Sequence, residues 1–325
     1  MRVVSKRDYE AQLAALDALR EADPAVAIEP LRKALSNPSN YLVAKAAAIT
    51  AELGMRSLIP DVLSALDRFF TAEDPQCWAK NALVDALGSF EHGDSEVYLR
   101  GLKHVQMEPV WGGSVDTAGP LRARCALALV HCKDLSDHRL LGHLIEALVD
   151  PDKTVRVEAA RAVGRVERPE AALLLRLRAL TGDDEPEVVG TCFQSVLTIE
   201  GRAGIVFVSQ FLARGCDVGA EAALALGMTH EAEVFVLLKD RWERERDPQF
   251  GGALLSGIGL TNLPEAIEFL NGVVGADGRG STDALRALAS ARLNEVDRAR
   301  VQASIDSTGN DRLRAAWKKL SGPRS

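Results

Sequence analysis

The stretch Leu144-Ile145-Glu146-Ala147-Leu148-Val149-Asp150-Pro151-Asp152-Lys153-Thr154-Val155-Arg156-Val157-Glu158-Ala159-Ala160-Arg161-Ala162-Val163-Gly164 decides the fold. Leu140, Leu141, Leu144, Ala147 and Leu148 recur at three- and four-residue steps, the spacing of one apolar helix face. Asp150-Pro151-Asp152 breaks that helix. Asp150 offers a capping carboxylate, and a proline is tolerated in a first helical turn. Val155, Ala159, Val163 and Val166 resume the same stepping, so the segment reads helix, turn, helix. Gly164 falls near the end of the second helix, where a residue free to enter the left-handed region helps termination. Ala159, Ala160 and Ala162 keep this helix thin, which lets a neighbouring hairpin approach closely.

Outward from this segment the pattern repeats. Ala-Leu pairs stand at Ala34-Leu35, Ala65-Leu66, Ala147-Leu148 and Ala179-Leu180, spaced by 31, 82 and 32 residues. An apolar residue followed by glycine recurs at Gly54, Gly88, Gly164, Gly227 and Gly259, at intervals of 34, 76, 63 and 32. Both landmarks indicate a period in the low thirties, the signature of a stacked-repeat architecture.

The segment 144–164 resembles a HEAT repeat of the kind shared with phycobilisome-lyase-type proteins. Weaker copies run from Asp74-Pro75 to Gly88, Asp183-Asp184 to Ile199, Asp217 to Gly227, and Asp247-Pro248 to Gly259. The resemblance implies an all-α solenoid, a right-handed superhelix of about nine hairpins from Ala25 to Leu320, after a lone helix near Asp8 to Ala22. The expected plan is a single domain over 1–325: a capping helix in 1–23, repeats over 24–294, and a capping hairpin over 295–325. A hairpin of this kind buries its apolar face only against the next one. In such arrays the second helix of each pair lines the concave side, which is the usual docking surface.

Composition agrees with helices. Apolar residues make up 47% of the 325, yet aromatics only 5%, so Leu, Ala and Val do the burying. No signal-peptide core is seen from Met1 to Asp8, and no apolar run is long enough to span a bilayer. Cys77, Cys125, Cys132, Cys192 and Cys216 are odd in number and scattered, as buried free thiols of a reducing compartment are, so a cytoplasmic location is expected. The net charge of −7 is concentrated between Thr181 and Asp240, where ten acidic residues meet three basic ones. Residues 151–178 hold seven Lys or Arg against four acids, so neighbouring stretches differ in sign. Solvated faces and balance between adjacent hairpins account for such charges as simply as a steered partner does.

The repeat is broken once, by an insert over 106–120 that includes Trp111-Gly112-Gly113 and Asp116. Long loops in compact domains are functional or disordered, and an aromatic beside flexible glycines suits a contact loop. Equally, Trp111 would serve as a plug between hairpins. On the two sides of the insert, Lys80, Arg122 and Arg156 fall at equivalent positions of three consecutive hairpins, a basic ladder expected on or near the concave side. Arg161, Arg165 and Arg168 form a second stripe at i, i+4 and i+7, with Glu158 placed to pair with Arg161. Trp78, Trp242 and Trp317 lie within the helical periodicity and read as packing residues.

Catalytic and cofactor signatures are weak. Cys125, Cys132, His138 and His143, with His131 alongside, lack the tight Cys-x2–4-Cys turns usual for zinc, so no metal is expected. HEAT-like arrays of the deoxyhypusine hydroxylase type hold a di-iron centre through several His-Glu pairs, whereas His230-Glu231 is the one pair here. Resemblance to a HEAT-like alkyl-purine DNA glycosylase would require a strongly basic groove, against which the acidic net charge argues. A bilin-lyase-like role is a third relative's, with no residue that singles out bilin chemistry. Gly275-Ala276-Asp277-Gly278-Arg279-Gly280 has neither the preceding strand nor the Lys-Ser/Thr of a phosphate loop. The expectation is therefore a non-catalytic, cytoplasmic scaffold without cofactor, probing a protein partner through its concave face and the 106–120 loop. The partner-facing residues expected are Trp111, Asp116, Lys80, Arg122, Arg156, Arg161 and Arg165. Neither nucleic acid nor membrane is expected to bind, and Lys318 and Lys319 in a polar end cap favour a monomer.

Overall fold

The computed structural model describes residues 6–214 and 216–321. Met1–Ser5 and the Cys216 side chain, on which parts of the sequence reading fall, lie outside the described residues. Two compact units divide the chain, Met1–Val166 and Glu167–Ser325.

In the first unit α1 (Lys6–Ala18) precedes four hairpins: α2 (Pro24–Leu35) with α3 (Asn40–Glu52), α4 (Ile59–Phe69) with α5 (Trp78–Ser89), α6 (Ser95–Leu102) with α7 (Gly119–Leu129), and α8 (Asp137–Ala147) with α9 (Lys153–Gly164). The second unit holds five: α10 (Pro169–Thr181) with α11 (Pro186–Glu200), α12 (Arg202–Ser209) with α13 (Cys216–Gly227), α14 (Ala232–Arg244) with α15 (Pro248–Leu260), α16 (Pro264–Gly275) with α17 (Ser281–Ser290), and α18 (Glu295–Thr308) with α19 (Asp311–Ser321). Within each unit the second helices pack in sequence order, α3 on α5, α5 on α7, α7 on α9, and α11 through α19 likewise. Each unit is thus a short α-solenoid, with the hairpin count the period implied.

Local chemistry sets the helix starts. Asp23, Ser39, Asp94, Ser136 and Asp152 each accept a backbone N–H of the first turn. Prolines 60, 120, 169, 186, 248 and 264 occupy first-turn positions where the missing N–H costs nothing. The cap before α9 is Asp152, not Asp150: Asp150 turns its own carboxylate onto the Asp152 N–H at 2.8 Å and is left to receive Arg122.

The apolar-glycine landmark has two physical origins. Gly54 ends its helix at φ +64, the left-handed conformation expected of a helix stop. Gly227 and Gly257 are instead sites of close approach, where a Cβ on Gly227 would meet the Gly257 carbonyl, and one on Gly257 the Ala223 carbonyl. Gly164 keeps a right-handed φ as the last residue of α9, and Glu167 at φ 54 makes the left-handed turn after it.

The inserted segment is ordered. Its strands β1 (Met107–Val110) and β2 (Gly113–Asp116) form an antiparallel ribbon, with Val110 opposite Gly113 and Met107 opposite Asp116. The turn is Trp111-Gly112, and Gly112 takes φ +86, a conformation that favours glycine.

Candidate functional site

One motif recurs in the first unit and organises its site. Asp74, Asp116 and Asp150 each precede a second helix, and six residues after each stands a base: Lys80, Arg122 and Arg156. These are the three bases of the ladder expected from the sequence, and of them Lys80 and Arg122 are buried while Arg156 is half-buried. Lys80 is 1% exposed, ion-paired with Asp74 at 3.2 Å and donating to the Phe69 carbonyl at 3.0 Å. Asp74 also accepts the N–H groups of Ala79 and Lys80 and the Asn40 amide, each at 3.0 Å. Arg156 donates to the carbonyls of Asp150 and Pro151, at 2.8 and 3.0 Å. A buried charge needs partners of this kind.

Arg122, 4% exposed, is the hub. Its Nε and Nη2 grip both oxygens of Asp150 at 2.8 and 2.9 Å, a bidentate pairing between successive hairpins. Nη1 donates to Asp116 at 2.6 Å and to the His104 carbonyl at 3.0 Å. Burial pushes the Asp116 carboxyl up, but the N–H groups of Gln106 and Ala118 and the Arg122 guanidinium together hold it below its ordinary value. Burial, with Lys80 nearby, holds the His104 imidazole below its ordinary value.

The ribbon is fastened at its foot and bare at its tip. The Glu108 carboxylate accepts the Gln76 N–H at 2.6 Å, the Gln106 amide at 2.6 Å and the Thr117 hydroxyl at 2.8 Å. Against the burial that raises it, these donors keep Glu108 ionised below its usual range. Gln106 also donates to the Asp74 carbonyl at 2.8 Å, tying the insert to the α4–α5 turn. Beyond the foot, Met107, Val110, Trp111 and Val115 are exposed, and Trp111 is wholly so. The plug reading of Trp111 is excluded: its ring fills no gap.

The structure does not gather the other expected residues at the ribbon. Arg161 is exposed and pairs with Glu158. Arg165 is exposed, but α9 ends at Gly164 and Arg168 lies outside that helix, so the i, i+7 stripe does not lie on one helical face. Cys77, Cys125, Cys132 and Cys192 are buried free thiols, and burial pushes Cys77 and Cys132 up to about 11. Among the described residues no group of His, Cys, Asp and Glu is arranged to hold a metal, and no helix is long and apolar enough to cross a membrane. His230 instead approaches the Thr261 carbonyl at 3.0 Å through Nδ1.

Sequence reasoning missed one surface altogether. Trp78, read as a packing residue, is 46% exposed and its ring lies tilted against that of Tyr41, itself beside Tyr9. The backbone entering Trp78 is unusual: Gln76 and Cys77 both take φ above +50, a conformation that non-glycine residues adopt at a cost. The Asp74 and Glu108 carboxylates hold that turn from both sides. A signal was present, since Tyr41 and Trp78 each stand in the first turn of a second helix.

No protein-family model matches the chain, and no curated protein matches it. Among solved structures it is similar to the CpcE–CpcF complex of phycocyanin lyase from Nostoc sp. PCC7120, at 20% identity over 75% of this chain and 94% of that one, with a TM-score of 0.38. An engineered protein aligns at 17% identity over 98% and 95% of the two chains, TM-score 0.37. Human deoxyhypusine hydroxylase aligns at 20% over 94% and 93%, TM-score 0.29. Among the described residues the chain is an array of helical hairpins interrupted by one two-stranded ribbon. These comparisons also correct the non-enzymatic expectation. A lyase and a hydroxylase are among the similar HEAT-like proteins, so the lack of a recognisable catalytic set in the sequence does not make this chain a non-enzyme.

Proposed function

We propose that the chain docks a protein partner through the 107–116 ribbon, with Trp111 as the anchor. The observation that carries this reading is a wholly exposed tryptophan at the tip of a ribbon whose foot is held by the part-buried Arg122–Asp116 ion pair and by hydrogen bonds to the Glu108 carboxylate. An isolated two-stranded ribbon is marginal in water. Here Glu108, Asp116 and Arg122 hold it in place, so a partner meets a preformed shape and less ordering is lost on binding. An indole that buries roughly 200 Å² at about 25 cal/mol per Å² corresponds to about 5 kcal/mol of gross driving force. Val110 and Val115, exposed beside it, widen the apolar contact.

In this reading Lys80, Arg122 and Asp116 support the ribbon, while Arg161 and Arg165 belong to an exposed surface of the same unit. The test is affinity capture from native lysate with wild type and Trp111→Ala side by side. The variant is expected to keep its stability within about 0.5 kcal/mol and to lose a specific partner. Recovery of the same proteins by both baits overturns the proposal.

A further inference from the structure

The inserted ribbon has one edge open to strand pairing. Thr117 donates its N–H to the Gln106 carbonyl at 2.9 Å, which makes 106 and 117 a hydrogen-bonded pair. Such pairs alternate along an antiparallel ladder, so Glu108–Val115 and Val110–Gly113 are bonded pairs in this register. The backbone N–H and C=O groups of Met107, Ser114 and Asp116, and the Pro109 carbonyl, then point outward. Proline has no N–H to offer, so Pro109 interrupts the outer edge of β1, one of the ways a sheet edge is closed to further strands. The outer edge of β2 carries no such block: Ser114 and Asp116 present donor and acceptor at alternate positions, and Ser114 is exposed. Side chains alternate likewise, which puts Val110 and Val115 on one face, 51% and 46% exposed, next to the bare Trp111 turn.

We propose that the ribbon's partner is a second copy of this chain, joined edge to edge through β2 in a closed two-fold dimer. The inference rests on the docking role proposed for the ribbon and names its occupant. Antiparallel pairing about a two-fold axis at Val115 sets Ser114 against the second copy's Asp116, and Asp116 against the second copy's Ser114. Each of these pairs exchanges both of its backbone hydrogen bonds, so the edge is complementary to itself. The same register keeps the two Asp116 carboxylates from standing opposite one another. It also brings the two Val115 side chains together at the axis, with Val110 of each copy outside them. The product is a four-stranded sheet with an apolar face, whereas two strands alone are marginal. Pairing stops at two copies because Pro109 leaves β1 unfit to continue it. Trp111, Val110 and Val115 with the strand backbone offer roughly 500 Å² per copy, hence about 1,000 Å² in all, the lower bound for a specific interface. The dimer is therefore a weak, micromolar one. The polar end cap from which a monomer is expected takes no part in it.

Its test is sedimentation velocity of the full chain at loading concentrations up to about 100 μM. Wild type is expected to pass reversibly from monomer to dimer as concentration rises. Ser114→Pro removes an outward N–H and no bond within the ribbon, and is expected to weaken the dimer roughly tenfold, which corresponds to about 1.4 kcal/mol. Ser114→Ala keeps that N–H and is expected to dimerise as wild type does, while Trp111→Ala is expected to dimerise more weakly. Exchange of the Thr117 amide, unchanged in Ser114→Pro, shows that the ribbon itself is still formed. A wild type that stays monomeric throughout, a dimer undiminished by Ser114→Pro, or growth into species larger than a dimer each overturns the proposal. The docking role of the ribbon is judged separately. If wild type is monomeric and still captures a lysate protein that Trp111→Ala loses, the second copy is ruled out and the ribbon remains the docking element. A dimer weakened by Ser114→Pro but untouched by Trp111→Ala supports the edge pairing and removes Trp111 as its anchor.

Discussion

Arg122 shows how one side chain can look like a binding residue in sequence and act as a fastening in three dimensions. Three acceptors surround it: two carboxylates and a backbone carbonyl. Removing it leaves Asp116 and Asp150 partly buried without their counter-charge. We expect Arg122→Ala to cost about 3–5 kcal/mol, read from urea unfolding, with the ribbon amides exchanging faster. Glu221 is the opposite case. Burial, with Glu187 and Asp217 nearby, raises its carboxyl above the ordinary value. A raised carboxyl penalises the native state above the folded value and not below the unfolded one, so Glu221→Gln is expected to raise the melting temperature at neutral pH. Near pH 4, about the unfolded value of Glu, the gain should vanish. Thermal melts at both pH values check this, and an equal gain at both refutes it.

Elements differ in what a single change can do to them. The ribbon buries little, so its tip tolerates truncation while its foot does not. Glu108→Ala removes the acceptor of three donors, from Gln76, Gln106 and Thr117. It is expected to loosen both the ribbon and the strained turn before Trp78, seen as faster exchange of the Gln76 amide, with the helices intact. Helix α15 has no such tolerance. Gly257 faces the Ala223 carbonyl across the α13–α15 contact at a separation that leaves no room for a methyl group. Gly257→Ala therefore forces the helices apart, at a cost of about 1–3 kcal/mol, although alanine is the better helix former by about 1 kcal/mol. A melting temperature at or above wild type would contradict this packing.

Over the whole molecule the carboxylates set the pH dependence. Asp116 and Glu108 are held below their unfolded values by the donors around them, and Asp134 by its bonds to Ser95. A depressed carboxyl contributes stability that is fully present above the unfolded value and lost as pH falls through the folded one. The urea midpoint should therefore drop as the pH falls below the ordinary carboxylate range, about pH 4, more steeply in wild type than in Asp116→Asn. What the sequence determined unaided was periodic: helical hairpins, their approximate number, and the place of the insert. Those features depend on residues close together in the chain, whose spacing alone states which face is apolar. The direction of Lys80 and Arg122, the exposure of Trp78, and the reason for Gly227 were decided by the tertiary structure. Each depends on a neighbour at least a helix away, such as the Asp150 carboxylate, the Tyr41 ring or the Gly257 carbonyl. A helical register gives the face on which a side chain stands, but only the packed neighbour decides whether that face meets solvent, a counter-charge or another backbone.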